Sequence, residues 1–124
     1  MKMKPILVVC CTKGNKTDTK LYQSLSIMSR TEVKLKFHEK NTTGLPEIYN
    51  KYINSKYLKK HDIVLFVHDD VYIDDLKLRG KLYSYIQAFD ITGVAGCVKP
   101  VIKSPALWHL MAERENHRGY VSHT

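Results

Sequence analysis

The chain has 124 residues, 44% hydrophobic and 26% charged, a composition typical of one globular domain, which we predict to span residues 1–124. Its 20 Lys and Arg against 12 Asp and Glu give a formal net charge of +8, which suits nucleic acid, a phosphorylated small molecule or an anionic membrane. The basic residues form no arginine-rich block and carry no RNA-reading aromatic signature, so nucleic-acid binding is disfavoured.

The first apolar segment, Ile6 to Cys11, is a continuous run that predicts a buried strand of a parallel sheet. It is shorter than the roughly 7 to 15 apolar residues of a signal-peptide core. No stretch reaches the ~18 apolar residues of a membrane span. The three cysteines, two of them adjacent in this run, do not resemble a spaced disulfide framework and indicate free thiols. We therefore expect a cytoplasmic protein.

The next two segments predict a helix and a second strand. The helix is expected to start at an Asp18 cap and to extend to Arg30. The segment "VKLKFHE", residues 33–39, alternates apolar and polar residues, which predicts a strand with one wet face near a sheet edge. The apolar residues that define the helix recur at helical spacing, at Leu21, Leu25 and Met28.

A second helix, a third strand and a third helix follow. Thr42 or Thr43 is the expected cap of the second helix, whose apolar stripe runs from Leu45 to Ile53 and includes Ile48, Tyr49 and Tyr52. Residues 63–67 predict the third strand, and "ITGVAGCV", residues 91–98, predicts a fourth. The third helix is expected to begin near two acids, Asp74 and Asp75, and to carry Leu78, Leu82, Tyr85, Ile86 and Phe89.

This alternation of strands and helices predicts an α/β fold, namely a three-layer α/β/α sandwich around a Rossmann-like, mostly parallel sheet. The regular βα repeats are expected over about residues 1–98. The remaining residues, 99–124, predict an irregular loop, a short helix over 107–115 and a terminal strand at "YVSH".

A group of acids follows the third predicted strand. His68, Asp69 and Asp70 come directly after the apolar run, where ligands bind in open parallel sheets. Carboxylates near a buried strand end need a cation, hydrogen-bond donors or solvent. A hard divalent metal that carries a diphosphate meets this need, since carboxylates prefer Mg²⁺ or Mn²⁺. The simpler alternatives are a surface or helix-capping role for Asp70 and a hydrogen-bonded strand-end histidine at His68.

Four stretches of the chain carry a family resemblance. "VLFVHDDVYI", "NTTGLPEIYNKYINSKYLKKHD", "ITGVAGCV" and "HRGYVSHT" resemble successive segments of family 2 glycosyltransferase-like proteins, in particular a small group similar to a streptomycin-biosynthesis glycosyltransferase-like domain. The resemblance covers most of residues 5–124. It implies a GT-A fold that binds a nucleotide sugar, of the UDP or GDP type, with Mn²⁺ or Mg²⁺ held by an Asp-x-Asp motif.

The resemblance also implies roles for individual residues. Asp70 matches the metal-binding aspartate of the motif, and His68 replaces its first aspartate, so Asp70, His68 and His123 are the expected metal ligands. Trp108 is expected to stack on the sugar or to close over the nucleotide, with a plain core position as its alternative. The expected nucleotide-sugar contacts are Thr12, Lys13, Asn15, Glu39, Asn50, His68, Asp69 and Trp108.

The predicted activity is transfer of a sugar to an unknown acceptor by a hexosyltransferase-like enzyme. In the family, the acceptor-binding part and its catalytic acid lie downstream of the Gly-x-Val-x-His stretch, so residues up to Thr124 are expected to form the donor-binding half, with no identifiable catalytic base. A homo-oligomer or a second chain is the expected way to complete such a site. The alternatives are a noncatalytic nucleotide-sugar-binding or assembly module and a basic nucleic-acid-binding protein.

Overall fold

The computed structural model describes residues 3–93, 96–97, 110 and 113–118. The chain divides into two compact units, Met1–Gln87 and Ala88–Thr124. The first unit contains a parallel three-stranded sheet with several helices, so the prediction of a mixed α/β fold is confirmed at this level. None of the helices in the described part of the chain has the length and apolar character needed to cross a membrane.

The first unit alternates strands and short helices. A 3-10 helix at Lys16–Asp18 precedes the first α-helix. The regular elements, in chain order, are β1 (Ile6–Cys11), α1 (Lys20–Leu25), β2 (Val33–His38), α2 (Leu45–Asn50), α3 (Ser55–Lys60), β3 (Val64–Phe66) and α4 (Leu78–Tyr85).

The sheet of the first unit has the strand order β2-β1-β3, with both pairs parallel. Ile6 is level with Val33 in β2, and Leu7 is level with Val64 in β3. The edge position predicted for β2 is confirmed within this three-stranded sheet. The chain passes from β1 to β2 on one side and then to β3 on the other, so the strand order reverses beside β1.

Both faces of the sheet carry a hydrophobic core because successive side chains of β1 point to opposite faces. On the first face, Ile6, Val8 and Cys10 belong to a cluster that includes buried residues of α1 and α4. On the second face, Leu7 and Val9 belong to a smaller cluster with two buried residues, Ile48 from α2 and Tyr52 just after it. A continuous apolar run was the expected signature of such a doubly covered strand.

The first helix differs from its prediction at both ends. Thr19, in the extended conformation, is the N-cap, and its hydroxyl accepts a hydrogen bond of 3.1 Å from the amide of Tyr22. The prediction of Asp18 as the cap is wrong, because Asp18 is the last residue of the preceding 3-10 helix. The helix ends at Leu25 instead of Arg30, although Met28 is buried in the first-face core as its spacing predicted.

The second predicted helix is two helices in the structure. The cap of α2 is Gly44, so the prediction of Thr42 or Thr43 is wrong. The apolar stripe breaks at Asn54, whose side chain accepts hydrogen bonds from two amides at the start of α3 and so begins a new helix. Ile53, which was expected in the stripe, is 59% exposed because it lies in the connection between the two helices.

The third predicted helix begins later and ends sooner than expected. It starts at Leu78 and ends at Tyr85. Just before the helix, the carboxylate of Asp75 accepts a hydrogen bond from the amide of Lys77. In the second unit, the described strands are β4 (Gly96–Cys97) and β5 (His117–Arg118), which pair antiparallel. Of the predicted fourth strand, residues 96–97 form a strand and residues 91–93 do not. Residues 99–109 and the stretch "YVSH" lie outside the described residues.

Candidate functional site

An open cleft of about 1110 Å³ lies where the three parallel strands of the first unit end. We call it the strand-end cleft. The reversal of strand order beside β1 places it at the position where open α/β sheets bind ligands. Its walls come from the loops after β1, β2 and β3 together with parts of α1 and α2. The residues that line it are 11–15, 18–20, 40–45, 49 and 67–70.

The loops after β1 and β2 are joined by backbone hydrogen bonds. The amide of Thr12 donates to the carbonyl of His38 at 3.0 Å, and the amide of Asn41 donates to the carbonyl of Thr12 at 2.9 Å. The amide of Lys40 donates to the carbonyl of Gly14 at 3.0 Å. These bonds continue the strand pairing beyond the sheet, so this wall is fixed by main-chain atoms.

Lys40 has a left-handed backbone conformation, with a φ of 47°. A side chain in this conformation costs about 1 to 3 kcal/mol, and such residues cluster at ligand sites. The preceding residue, Glu39, is exposed, and its carboxylate accepts a hydrogen bond of 3.1 Å from the amide of Lys16. Glu39 therefore secures the loop after β1 from outside the strand-end cleft, whereas Lys40 lines it.

The loop after β3 is held by α1. The amide of Leu21 donates to the carbonyl of Asp69 at 3.3 Å. Further along the loop, the amide of Ile73 donates to the hydroxyl of Ser24 at 3.0 Å, and Ser24 itself donates to the carbonyl of Leu21 at 2.8 Å. Ser24 is fully buried. A single buried side chain thus helps to position the segment that presents His68, Asp69 and Asp70.

The strand-end cleft combines both signs of charge. Its lining holds as many lysines as aspartates among the described residues, although the whole chain carries a net charge of +8. A site for a bare anion would not gather carboxylates, because like charges repel. Lysines and aspartates together suit a ligand in which a bound cation accompanies the anion. The charged residues are Lys13, Lys20 and Lys40 against Asp18, Asp69 and Asp70.

Another part of the lining is apolar and includes an aromatic ring. The apolar residues of the lining are Cys11 and Tyr49, which pack against the second-face core, Leu45 of α2, and Val67, which belongs to the first-face core. The ring of Tyr49 stacks on Phe66 of β3, with centroids 4.2 Å apart and ring planes at 27°. The sequence pattern predicts Tyr49 as part of a helix stripe and gives no sign that it is a site residue. Helical spacing shows which residues share a face, but it does not show that one of them reaches the edge of the sheet.

The two adjacent thiols are on opposite faces, as strand geometry predicted. Cys10 belongs to the first-face core and Cys11 packs against the second-face core. Burial, with smaller effects from Asp69, Cys11 and Asp70, raises the pKa of Cys10 to about 12. Burial also raises the pKa of Cys11 above its usual 9.0. Both thiols are therefore protonated near neutral pH, which disfavours a role as nucleophiles or as a redox pair.

Most of the site residues that the sequence predicts, and that the structure describes, line the strand-end cleft. Glu39 and Asn50 do not line the strand-end cleft; Asn50 is the exposed last residue of α2. Trp108 and His123 lie outside the described residues. The residues that the structure brings together in the lining are Thr12, Lys13, Asn15, His68, Asp69 and Asp70.

Several lining residues were missed by the sequence analysis, in particular Lys20 and residues 40–44. Residues 40–44 follow the second strand, so the general rule that ligands bind at strand ends was the signal that could have found them. Lys20, at the start of α1, had no comparable signal.

The donor groups of the strand-end cleft suit a weakly held, hydrated cation. Among the described residues, no three His, Cys, Asp or Glu side chains are grouped closely enough to hold a metal ion by themselves. His68 and Asp70, the two described members of the predicted ligand set, are exposed at the lining. Mg²⁺ usually keeps several waters and is bound by one or two carboxylates together with substrate phosphates. A metal at His68 and Asp70 would therefore need further ligands, such as water or the oxygens of a bound phosphate.

No protein-family model, curated protein or solved structure matches this chain.

Proposed function

We propose that the first unit binds a nucleoside diphosphate sugar together with Mn²⁺ or Mg²⁺, as the donor-binding part of a glycosyltransferase-like domain. In this proposal the sheet is the centre of a three-layer, Rossmann-like sandwich of the GT-A kind. The observation that carries the proposal is the strand-end cleft, which lies at the reversal of strand order and brings lysines and aspartates together.

The charge distribution supports a diphosphate as the anionic part of the ligand. Lysines 13, 20 and 40 supply ammonium groups that attract phosphate oxygens. Asp69 and Asp70 would repel the same oxygens without an intervening cation. A divalent metal held by these residues would offset this repulsion, so metal and diphosphate are expected to bind together.

The size of the cleft supports a ligand larger than inorganic phosphate. Pockets for small molecules commonly have volumes of about 300 to 1,000 Å³, and the strand-end cleft, at about 1110 Å³, is open and slightly larger. Its walls offer charged groups, the Thr12, Thr42 and Thr43 side chains and an apolar wall. A nucleotide sugar needs all three, because it joins charged phosphates, hydroxyl-rich rings and a planar base.

Different residues of the strand-end cleft would bind the metal and the diphosphate. Asp70 and His68 would hold the metal, which when bound stabilises the negative charge of a leaving nucleoside diphosphate. The lysines would orient the diphosphate, and the hydrogen bonds from Leu21 and to Ser24 would keep the acidic loop in place before the ligand arrives. We assign no catalytic base, so the acceptor and its deprotonation are outside this proposal.

A thermal-shift panel tests the proposal. UDP, GDP, CDP, TDP and their common sugar conjugates are each added with and without Mn²⁺ or Mg²⁺. A ligand that binds the native state raises the unfolding midpoint by mass action, by an amount equivalent to about 2.7 kcal/mol at a hundredfold excess over Kd. We expect a rise that requires both one nucleotide and a metal. Equal midpoints for every combination would contradict the proposal.

Asp70→Ala tests the site itself. We expect this variant to fold normally, because Asp70 is exposed, and to lose metal-dependent nucleotide affinity by roughly tenfold or more in calorimetry, equivalent to about 1.4 kcal/mol. Asp74→Ala is the matched control, since Asp74 is an exposed acid on the same loop that does not line the strand-end cleft. Unchanged affinity in Asp70→Ala, or equal losses in both variants, would refute the assignment of Asp70.

A further inference from the structure

We infer that Tyr49 is the platform for the planar base of the ligand, so that this residue makes the strand-end cleft select nucleotides over base-free diphosphates. The inference rests on the proposed function and adds to it a residue that determines specificity. It assigns the base to Tyr49, and the phosphates and the metal to the charged residues of the lining.

The position of Tyr49 supports a stacking role. Its ring is half-buried, lines the strand-end cleft and stacks on Phe66 at 4.2 Å. Phe66 covers one face of the ring, so a ligand in the strand-end cleft would meet the opposite face or the hydroxyl edge. The contact with Phe66 also restricts the ring before binding, which lowers the entropy cost of ordering it. A fixed aromatic surface is the usual protein partner of a nucleobase.

The hydroxyl group of Tyr49 supports the same role. The two tyrosines that are buried in the cores use their hydroxyls: Tyr52 is hydrogen-bonded to the Nε2 atom of His38 at 2.6 Å, and Tyr83 donates to Asp62 at 2.9 Å. Within the described part of the chain, the hydroxyl of Tyr49 makes no hydrogen bond. Because Tyr49 is only half-buried and lines the strand-end cleft, its hydroxyl is available to a ligand there. The carbonyl and ring-nitrogen acceptors on the edge of a base would provide a hydrogen-bond partner.

The protonation state of Tyr49 fits a hydrogen-bond donor. Burial, with smaller effects from Cys11 and Cys10, raises the pKa of Tyr49 above its usual 10.0. The phenol is therefore neutral near pH 7 and keeps its proton available for an acceptor.

The lining contains further apolar residues besides Tyr49. Cys11, which packs on the second-face core as Tyr49 does, and Leu45, one helical turn before Tyr49, add apolar surface, whereas the loops after β1 and β3 contribute lysines and aspartates. A ligand with phosphates alone would leave the apolar wall exposed to water. A nucleotide would cover it, and base stacking contributes about 1 to 3 kcal/mol when measured by removal of the ring.

A calorimetric comparison of two ligands tests the inference. The first ligand is whichever of UDP, GDP, CDP and TDP binds the wild type most tightly, and the second is inorganic pyrophosphate, each with Mn²⁺. We expect Tyr49→Leu to weaken nucleotide binding by roughly 5-fold to 150-fold and to leave pyrophosphate binding unchanged. Tyr49→Phe keeps the ring and should retain most of the affinity, losing only the contribution of the hydroxyl group.

The control is Tyr57→Leu, which alters another half-buried tyrosine that packs on the second-face core but does not line the strand-end cleft. It should leave the affinities for both ligands unchanged. If Tyr49→Leu unfolds, Tyr49→Phe and Tyr49→Trp decide the question, because both retain a ring and should retain nucleotide selectivity.

The outcomes separate this inference from the proposed function. Equal losses of nucleotide and pyrophosphate affinity in Tyr49→Leu, or no loss of either, would overturn the role of Tyr49 while leaving donor binding intact. The same holds if Tyr49→Phe and Tyr49→Trp abolish selectivity for the nucleotide. A wild-type protein that binds none of the four nucleotides would overturn the proposed function, and this inference with it.

Discussion

The two faces of the parallel sheet differ in how much apolar surface they bury, although β1 contributes to both. On the first face, β2 adds Val33, Leu35 and Phe37 to the core, whereas on the second face the same strand presents the exposed lysines Lys34 and Lys36. The second-face core is correspondingly smaller. We therefore expect stability to depend mainly on the first face, whereas the second face, which contributes Tyr49 to the cleft lining, should tolerate change with a smaller loss of stability.

The largest expected effect is a difference between two core truncations. Leu25→Ala on the first face should lower the free energy of unfolding by about 2 to 5 kcal/mol, because it leaves a cavity in the larger core. Ile48→Ala on the second face should fall near the lower end of that range, because its smaller surroundings can collapse. Urea unfolding measures both values.

Ile27→Ala is the control for these truncations, because Ile27 is 68% exposed and should change stability by no more than about 0.5 kcal/mol. If Ile48→Ala lowers the free energy of unfolding at least as much as Leu25→Ala does, the first face does not contribute more to stability than the second.

Ser24→Ala tests how the first face supports the cleft. The substitution leaves the half-buried amide of Ile73 without its partner, so we expect a loss of about 1 to 3 kcal/mol in unfolding free energy. It should also weaken metal-dependent nucleotide binding, because the loop that carries Asp70 loses an anchor. Ser26→Ala is the matched control, since Ser26 lies on the same segment but is exposed. Normal stability and binding in Ser24→Ala would show that the other contacts suffice to hold the loop.

Tyr52→Phe tests the polar contact of the second face. It removes the hydroxyl that is hydrogen-bonded to the Nε2 atom of His38, and we expect a loss of about 0.5 to 1.5 kcal/mol by urea unfolding. The ring itself stays in the second-face core, so nucleotide binding should be unchanged. A loss as large as that of Leu25→Ala would show that this face depends on hydrogen bonding more than its small core suggests.

The smallest expected effect is a pH dependence that originates at His38. Burial, followed by the charges of Lys51 and Lys36, lowers the pKa of His38 below its usual 6.5. The unfolded chain therefore binds a proton at a higher pH than the folded chain does. Stability from this residue is complete above about pH 6.5 and is lost as the pH falls through 6.5 towards the lower folded pKa.

Unfolding measured near pH 7.5 and near pH 5.5 checks this sign. The loss of stability on acidification should be smaller in His38→Gln than in the wild type. Equal losses would show that other groups dominate the acid response.

The sequence by itself determined the features that depend on neighbouring residues. The continuous run fixed β1 as a strand buried on both faces, and the alternation of "VKLKFHE" fixed which side of β2 is wet. The position of His68, Asp69 and Asp70 after β3 followed from the same local pattern. Strand periodicity and the direction of side chains are properties of the backbone, so a short segment is enough to predict them.

Only the tertiary structure decided which distant segments meet. The pairing of β3 with β1 placed the acidic loop beside the loop after β1, and the backbone bonds between loops brought Lys40 to the cleft. Tyr49, a residue of the predicted helix stripe, stacks on Phe66 of β3 and lines the cleft. These arrangements depend on contacts between residues far apart in the chain, whose free energies no local pattern of spacing contains.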